Sequence, residues 1–231
     1  KPFTEAMNQI ARGLCGAHTP RATFAVSQWA VVRKADSTRF TLQWPDYGGE
    51  QLIGIIDDRR MPNTWRDKIA TSSSWAFMIR PSQVRLPPDV YTREVTLSSR
   101  EGESDQILSS QSRLIEALQM LRYKHWDCHN GSEKVPQLAI LLSCYDELKT
   151  DLSPAEYCDQ NLPLLSAYLT SNWPESEVRV FGLSTLGQSL DDTTPDQTYA
   201  EIGPENMGYV LSPDGDETSD LLMPIDWLLS D

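Results

Sequence analysis

The chain has 231 residues, with 20 lysines and arginines against 33 aspartates and glutamates, which gives a formal net charge of −13. This negative balance repels a phosphate backbone, so direct binding of nucleic acid is not expected. No run approaches the ~18 consecutive apolar residues of a membrane span, and the first residues lack the pattern of a signal peptide. We therefore expect a cytoplasmic protein without a membrane partner, folded as one domain over residues 1–231.

The cysteines indicate free thiols rather than a disulfide framework. Cys15, Cys128, Cys144 and Cys158 are widely scattered and include no CxxC pair, a pattern typical of a reducing compartment. Residues 125–129 bring two histidines near Cys128, but the sequence offers no second ligand pair to complete a tetrahedral site. A metal site is not expected there.

The first third of the chain predicts a helix, a hairpin and two further helical segments. Apolar residues from Phe3 to Leu14 recur at helical spacing, and Gly13 and Gly16 indicate the end of that helix. Residues Thr23 to Arg33 and Arg39 to Trp44 are β-branched and aromatic, which favours a β-hairpin. A helical pattern follows between Ile55 and Ile69, interrupted near Pro62.

The remaining segments predict three strands that are buried on both faces. They are Ser74 to Arg80, Leu138 to Leu142 and Val178 to Leu183. A mobile loop is expected over 81–105, a helix over 106–123 and a proline-punctuated helical stretch before the last strand. Residues 189–220 are predicted to form an acidic loop, and the apolar segment Leu221 to Leu229 to dock on the core.

Strands that alternate with helices predict an α/β fold. We expect a mostly parallel sheet with helices on both faces and one antiparallel edge, supplied by the early hairpin. Because α/β folds bind ligands at the carboxyl ends of their strands, three segments should line one rim of one sheet: residues 46–50, 143–146 and 184–187.

The first of these segments, WPDYGGE, contains the D-x-x-G arrangement of GTPases. Asp46 would hold Mg²⁺ through a water molecule, and Gly49 would let its N–H approach a terminal phosphate. Glu50 follows at the position of a residue that orients the attacking water. The same sequence is also a favourable turn after a strand, and that explanation stays open for this segment alone.

The other two segments suggest recognition of guanine. The Asp146 carboxylate would accept hydrogen bonds from N1 and N2 of guanine, a donor pair that adenine lacks. The N–H of Ser184 would meet guanine O6. Alternatively, Asp146 caps a helix and Ser184-Thr185 form a turn.

Several motifs together resemble the bacterial double-GTPase family. They are WPDYGGEQL, Arg59-Arg60, Trp65, SSSWAFMIR, LLSCYDEL, FGLSTLG and MGYVLSPDG. The resemblance covers the chain from about residue 23 and identifies it with one of that family's two GTPase domains, which belong to the Ras-like P-loop GTPase class. It implies a GTP-binding switch protein of prokaryotic conflict or antiphage gene neighbourhoods that works with effector-linked partner proteins.

The resemblance assigns Asp46, Gly49 and Glu50 to switch II, with Asp46 and Glu50 as the catalytic positions. It assigns Asp146 to base specificity and Ser184 with Thr185 to the base-contact loop. Thr19 lies where switch I places a Mg²⁺-binding threonine, although a surface polar role is favoured for it. This sequence departs from the family pattern at three positions: Ser143 and Cys144 replace Asn or Thr and then Lys, and Leu186 replaces the last residue of Ser-Ala-Lys.

The largest departure concerns the phosphate site. No G-x-x-x-x-G-K-[ST] occurs in the 231 residues, and Gly13 and Gly16 fit a helix end better than a phosphate loop. The first strand and P-loop are expected to lie upstream of Lys1 or to be absent. Three hypotheses follow: a regulatory and protein-interaction domain with an incomplete nucleotide site, an active GTPase whose P-loop lies outside this sequence, or an acidic α/β adaptor without nucleotide.

Overall fold

The computed structural model describes residues 2–15, 25–33, 36–46, 49–84, 110–132 and 134–230, without the side chains of 2–4, 25–27, 44–46 and 49–53. Helix α1 covers Pro2–Ile10. Strands β1 (Ala25–Val32) and β2 (Arg39–Asp46) pair antiparallel, with Val32 opposite Arg39. Asp36 stabilises the turn between them, because its carboxylate accepts the Thr38 N–H at 3.0 Å. The predicted hairpin is confirmed.

The segment after the hairpin forms two helices, as predicted. Helix α2 covers Gly49–Asp58 and helix α3 covers Asn63–Thr71. Pro62 precedes the first residue of α3, where proline's fixed φ and missing N–H are tolerated. Apolar side chains of both helices are buried, namely Ile55, Ile56 and Ile69.

A second sheet contains five strands in the order β3-β4-β5-β6-β7. They are β3 (Ser74–Ile79), β4 (Gln137–Ser143), β5 (Val178–Ser184), β6 (Tyr209–Leu211) and β7 (Glu217–Thr218). The first three strands are parallel, and β6 and β7 are antiparallel to their neighbours. The prediction that the hairpin supplies the antiparallel edge is wrong, since β1 and β2 form a separate sheet and β6 and β7 provide that edge.

Strand burial follows position in the sheet. In β4, between two strands, residues 138–142 are all buried, as predicted. β5 is buried only in its second half, from Phe181 onward. The prediction that β3 is buried on both faces is wrong: Ala76 and Met78 are exposed while Phe77 and Ile79 are buried, the alternation of a strand with one solvated face.

Helices cover both faces of the five-stranded sheet. Helix α4 (Ser110–Cys128), α5 (Pro154–Asn161) and α6 (Pro163–Asn172) pack with Leu138, Ile140 and Leu142 of β4. The alternate residues Ala139 and Leu141 pack instead with Leu228 of helix α8 (Met223–Leu228). The predicted docking of the last apolar segment is confirmed, and α4 extends five residues beyond the predicted helix.

The acidic segment 189–220 is not the loop that its composition predicts. It contains helix α7 (Gln197–Ile202) and strands β6 and β7, and Tyr199 and Val210 within it are fully buried. The chain after α1 contacts this segment: the Gly13 carbonyl accepts the Asp196 N–H at 3.0 Å. Gly13 has φ +69°, and a Cβ there would lie 2.2 Å from the Asp196 carbonyl oxygen. Its prediction as a helix end is confirmed, while Gly16 and Thr19 lie outside the described residues.

The loop predicted over 81–105 falls on a part of the chain that the structure covers incompletely. Within the loop predicted over 81–105, residues 81–83 form a short 3-10 turn, and 85–105 lie outside the described residues. Among the helices that the structure describes, none is long and apolar enough to cross a lipid bilayer.

Candidate functional site

The carboxyl ends of β3, β4 and β5 are adjacent, and a tight turn follows β4. The Ser143 hydroxyl donates to the Ile79 carbonyl at 3.2 Å, which ties the end of β4 to the end of β3. Cys144 then has a left-handed backbone, with φ 53°. Residues Tyr145–Leu148 form a 3-10 turn that ends at Lys149, also left-handed. Left-handed conformations are costly for residues other than glycine and often occur at functional sites.

Tyr145 anchors this turn in the core. Its side chain is 3% exposed, and its hydroxyl donates to the Leu152 carbonyl at 2.8 Å. Burial raises the pKa of Tyr145 to about 12. The ring lies so close to β5 that a Cβ on Gly182 would be 3.0 Å from Tyr145 Cγ. The position of the next residue, Asp146, is therefore fixed.

Asp146 and Ser184 contact each other across the ends of β4 and β5. The Ser184 hydroxyl donates to Oδ1 of Asp146 at 2.5 Å and accepts the Gly187 N–H at 3.1 Å. Ser184 is 1% exposed, whereas Asp146 is half-buried. Within the described residues, Oδ2 of Asp146 accepts no hydrogen bond. The prediction that these two residues share one rim is confirmed, while their roles toward a nucleotide stay predictions.

The loop after β5 packs closely against the chain before β6. Gly187 has φ +71°, and a Cβ there would lie 2.1 Å from the Met207 carbonyl oxygen. A Cβ on Gly208 would lie 2.8 Å from the Thr185 carbonyl oxygen. The Thr185 side chain itself is exposed. This packing holds the loop after β5 in place and leaves Thr185 facing solvent.

Sequence reasoning missed a tyrosine beside the Asp146–Ser184 pair. Tyr209 pairs with Ser184 in the β5–β6 register. Burial raises the pKa of Tyr209, and the nearby Asp146 carboxylate raises it further. Tyr209 occurs in the segment MGYVLSPDG, which entered the family resemblance without a role.

An ion pair between Arg80 and Glu147, which the sequence did not predict, borders the turn after β4. Arg80 Nη2 lies 2.6 Å from Glu147 Oε1, and the Ser82 hydroxyl donates to Oε2 at 2.9 Å. The Arg80 hydrogen bond lowers the pKa of Glu147. Burial raises the pKa of the neighbouring Cys144 thiol, and Arg80 opposes that rise. The pair joins the end of β3 to the segment that contains Asp146.

The switch II residues do not belong to the same sheet as Asp146 and Ser184. Asp46 is the last residue of β2, in the two-stranded sheet, and Gly49 begins α2 with Glu50 in its first turn. The prediction that Asp46, Asp146 and Ser184 follow strands of one sheet is therefore wrong for Asp46. The side chains of these switch II residues are not among those described, and their catalytic and Mg²⁺ roles stay predictions.

The two parts of a GTP–Mg²⁺ ligand fit this arrangement unequally. Asp146 offers an oriented carboxylate with one oxygen left for donors of a ligand, which suits the N–H groups of guanine. No trio of His, Cys, Asp or Glu side chains suited to a metal occurs in the part of the chain that the structure describes. The side chains of Asp46 and Glu50, the other predicted site residues, are not among those described.

A mostly parallel sheet with helices on both faces, and with an oriented carboxylate beside a tight loop at its carboxyl edge, defines an α/β protein. A family model described as Double-GTPase 1 matches residues 1–228, so the chain belongs to the double-GTPase family. No curated protein and no solved structure matches the chain. The family resemblance is confirmed, and the Ras-like variant of the α/β fold stays a prediction.

Proposed function

We propose that this chain is a GTPase-fold regulatory and protein-interaction domain of a prokaryotic conflict or antiphage system. Its guanine-nucleotide site is incomplete within these 231 residues. Membership of the double-GTPase family supports a GTPase-related function. The observation that supports the proposal is the Asp146–Ser184 pair, in which the Ser184 hydroxyl donates to one oxygen of a half-buried carboxylate that follows β4.

In this proposal Asp146 selects guanine, and Ser184 orients the Asp146 carboxylate. One carboxylate oxygen is held by the Ser184 hydroxyl, and the other is left for the N1–H and N2–H donors of the base. Because Ser184 is buried, its own N–H is a poor donor to guanine O6. The exposed neighbour Thr185 supplies that N–H instead.

Few groups in this chain would neutralise the phosphates of a bound GTP. These 231 residues contain no P-loop motif, whose backbone N–H groups and lysine neutralise the β- and γ-phosphates in a complete site. Bound Mg²⁺ would offset phosphate charge, and Asp46 and Thr19 are its proposed ligands. With a net charge of −13, the chain should bind GTP no tighter than roughly millimolar, or about −4 kcal/mol, without detectable hydrolysis.

Calorimetric titration of GTP and Mg²⁺ into the purified chain tests the incomplete site. Micromolar binding would contradict it and favour the alternative of an active GTP-hydrolysing switch. If a longer parent protein supplies a P-loop upstream of Lys1, that parent should bind GTP at least ~1,000-fold more tightly than the 231-residue chain. Equal affinities of both proteins would contradict the role given to the P-loop.

Substitution of Asp146 tests the guanine assignment. Asp146→Ala should weaken guanine nucleotides by about 1.5–3 kcal/mol and remove the preference over ATP, because a charge-assisted hydrogen bond is lost. Ligand-observed NMR at millimolar nucleotide detects binding this weak. Asp192→Ala removes an exposed carboxylate and serves as the matched control. Unchanged GTP affinity in Asp146→Ala would remove Asp146 from the site and favour the second alternative, an acidic α/β adaptor without nucleotide.

Protein partners are part of the proposal, and products of the same gene neighbourhood are the first candidates. A partner that reads the state of the nucleotide site should contact the loop around Thr185, which is exposed beside Asp146. Co-purification with each neighbouring product, repeated with Thr185→Arg, tests this arrangement. Loss of binding in the variant is expected, and undiminished binding would place the interface elsewhere.

A further inference from the structure

A pocket of about 340 Å³ lies at the amino end of β4, at the opposite end of the strand from Asp146. Three residues of α4 and three of the segment that leads into β4 line it: Arg122, His125, Trp126, Ser132, Lys134 and Val135. The volume is within the range of about 300–1,000 Å³ of pockets for small ligands. None of these residues belongs to the site proposed above.

Arg122 is held in this pocket by neutral groups. Its guanidinium donates to the Asn172 side-chain oxygen and lies over the Trp173 ring, 5.4 Å from the centroid. It also lies beside the Tyr168 hydroxyl, whose pKa is raised by burial, so that this neighbour stays uncharged at pH 7. These neutral neighbours therefore orient the Arg122 side chain.

Lys134 adds a second cation at the edge of the pocket. The residue is exposed, and its N–H donates to the Ser132 hydroxyl at 3.3 Å. Neither Arg122 nor Lys134 forms a salt bridge within the described residues, which do not include Glu133. Two cations without paired carboxylates are notable in a chain with a net charge of −13.

An aromatic surface borders the two cations. Trp126 is 47% exposed and stacks on Tyr123 with ring centroids 6.0 Å apart. Gly131 closes the turn after α4, and a Cβ there would lie 3.4 Å from the Trp126 indole. His125 is buried against the edge of Trp75, and burial lowers its pKa, as does the neighbouring His129. The pocket thus combines two cations with an exposed planar ring.

We propose that this pocket binds a phosphate monoester attached to a planar ring, the chemistry of a nucleoside monophosphate. A phosphate dianion matches the two cations in charge, whereas a carboxylate matches only one. The planar ring of the ligand stacks on the exposed Trp126 indole. Binding here does not depend on the guanine site, because the two sites lie at opposite ends of β4.

The test uses 5′-AMP. The proposed guanine site would not select adenine, so AMP binding reports on this pocket. The chain has three histidines, which makes their ring signals easy to follow by NMR. AMP should shift the His125 signals and raise the His125 pKa, because an anion nearby favours the imidazolium. Adenosine and inorganic phosphate should each bind roughly tenfold more weakly than AMP. Equal binding of inorganic phosphate and AMP would overturn the stacking part of the proposal.

Variants separate this pocket from the general charge of the surface. Lys134→Gln should weaken AMP binding roughly tenfold, whereas Lys124→Gln, at a lysine of α4 that is paired with Asp127, should leave it unchanged. Asp146→Ala should also leave AMP binding unchanged. Failure of the guanine proposal can therefore be told apart from failure of the proposal for this pocket. No His125 shift at about 10 mM AMP, or equal effects of the two lysine variants, would overturn the proposal.

Discussion

The two ends of the central strand β4 differ in charge and in how they are built. At the carboxyl end, Asp146 and Glu147 follow the strand directly and contact Ser184 and Arg80 at the ends of neighbouring strands. At the amino end, Arg122 and Lys134 border a pocket whose floor includes side chains of α4 and of the segment before β4. The same strand thus separates the Asp146–Ser184 pair from the pocket that Arg122 and Lys134 line.

The difference shows how each site depends on the fold. The carboxyl-end residues are adjacent in sequence to strand ends, so sheet pairing alone brings them together. The amino-end residues depend on the packing of helices, since Arg122 is oriented by Asn172 at the end of α6 and by Trp173 after it. Substitutions that disturb strand ends and substitutions that disturb helix packing should therefore affect different sites.

The largest expected effect is at the amino end. Trp173 is 3% exposed, and its indole N–H donates to the Pro136 carbonyl at 2.9 Å. Trp173→Ala should lower the free energy of unfolding by about 3–5 kcal/mol, because it leaves a cavity and an unpaired carbonyl. Urea denaturation measures the change. Trp126→Ala, at an exposed tryptophan, should cost about 0.5 kcal/mol, and equal losses in both variants would contradict the packing described for Trp173.

The second prediction concerns the hydroxyl that connects Asp146 to the next loop. Ser184→Ala should lower the free energy of unfolding by about 2 kcal/mol, since the half-buried Gly187 N–H and Asp146 Oδ1 both lose a partner. Ser176→Ala, at an exposed serine, is the control and should change it by less than about 0.5 kcal/mol. AMP binding at the amino end should survive Ser184→Ala, and its loss would show that the two ends are not independent.

A pair of glycine substitutions tests the close packing under Asp146. Gly182→Ala should destabilise the protein by about 1 kcal/mol, because the new Cβ would lie 3.0 Å from the buried Tyr145 ring and 3.2 Å from Pro154. Gly54→Ala in α2 meets no atom within 4 Å and should stabilise by about 0.5–1 kcal/mol through helix propensity. Thermal unfolding of both variants should give shifts of opposite sign.

Much of the fold could be predicted from the sequence. The hairpin, the two helices around Pro62 and the buried strand β4 follow from local patterns of residues, and the structure contains all of them. The meeting of Asp146 and Ser184 was predictable because both follow strands that are neighbours in a parallel sheet. Here local sequence and the geometry of parallel strands were sufficient.

The missed features depend on contacts between distant segments. The acidic composition of 189–220 favours a solvated loop, yet Tyr199 and Val210 are buried within that segment. In the part of the chain that the structure describes, β3 is an edge strand. The sequence does not show this, because the apolar run of β3 resembles that of β4. The placement of Arg122 over Trp173, 51 positions apart in the chain, has no local signal either.

The smallest expected effect concerns the ion pair beside Asp146. Arg80 and Glu147 are partly exposed, with side chains 44% and 21% accessible, so solvent screens their attraction. Glu147→Gln should cost about 0.5 kcal/mol of unfolding free energy at pH 7. Glu201→Gln, at an exposed glutamate of α7, should cost nothing measurable.

The lowered pKa of Glu147 determines how the stability difference between wild type and Glu147→Gln changes with pH. The Arg80 hydrogen bond lowers the pKa of Glu147 in the folded protein below its value of about 4.3 in the unfolded chain. The unfolded state therefore binds the proton more readily, and the contribution of the pair is complete above the unfolded pKa. As the pH falls through the folded pKa the contribution is lost, so wild type and Glu147→Gln should become equally stable in acid. Urea denaturation of both proteins between pH 7 and pH 3 measures the gap, and a gap that stays constant over this range would contradict the ion pair.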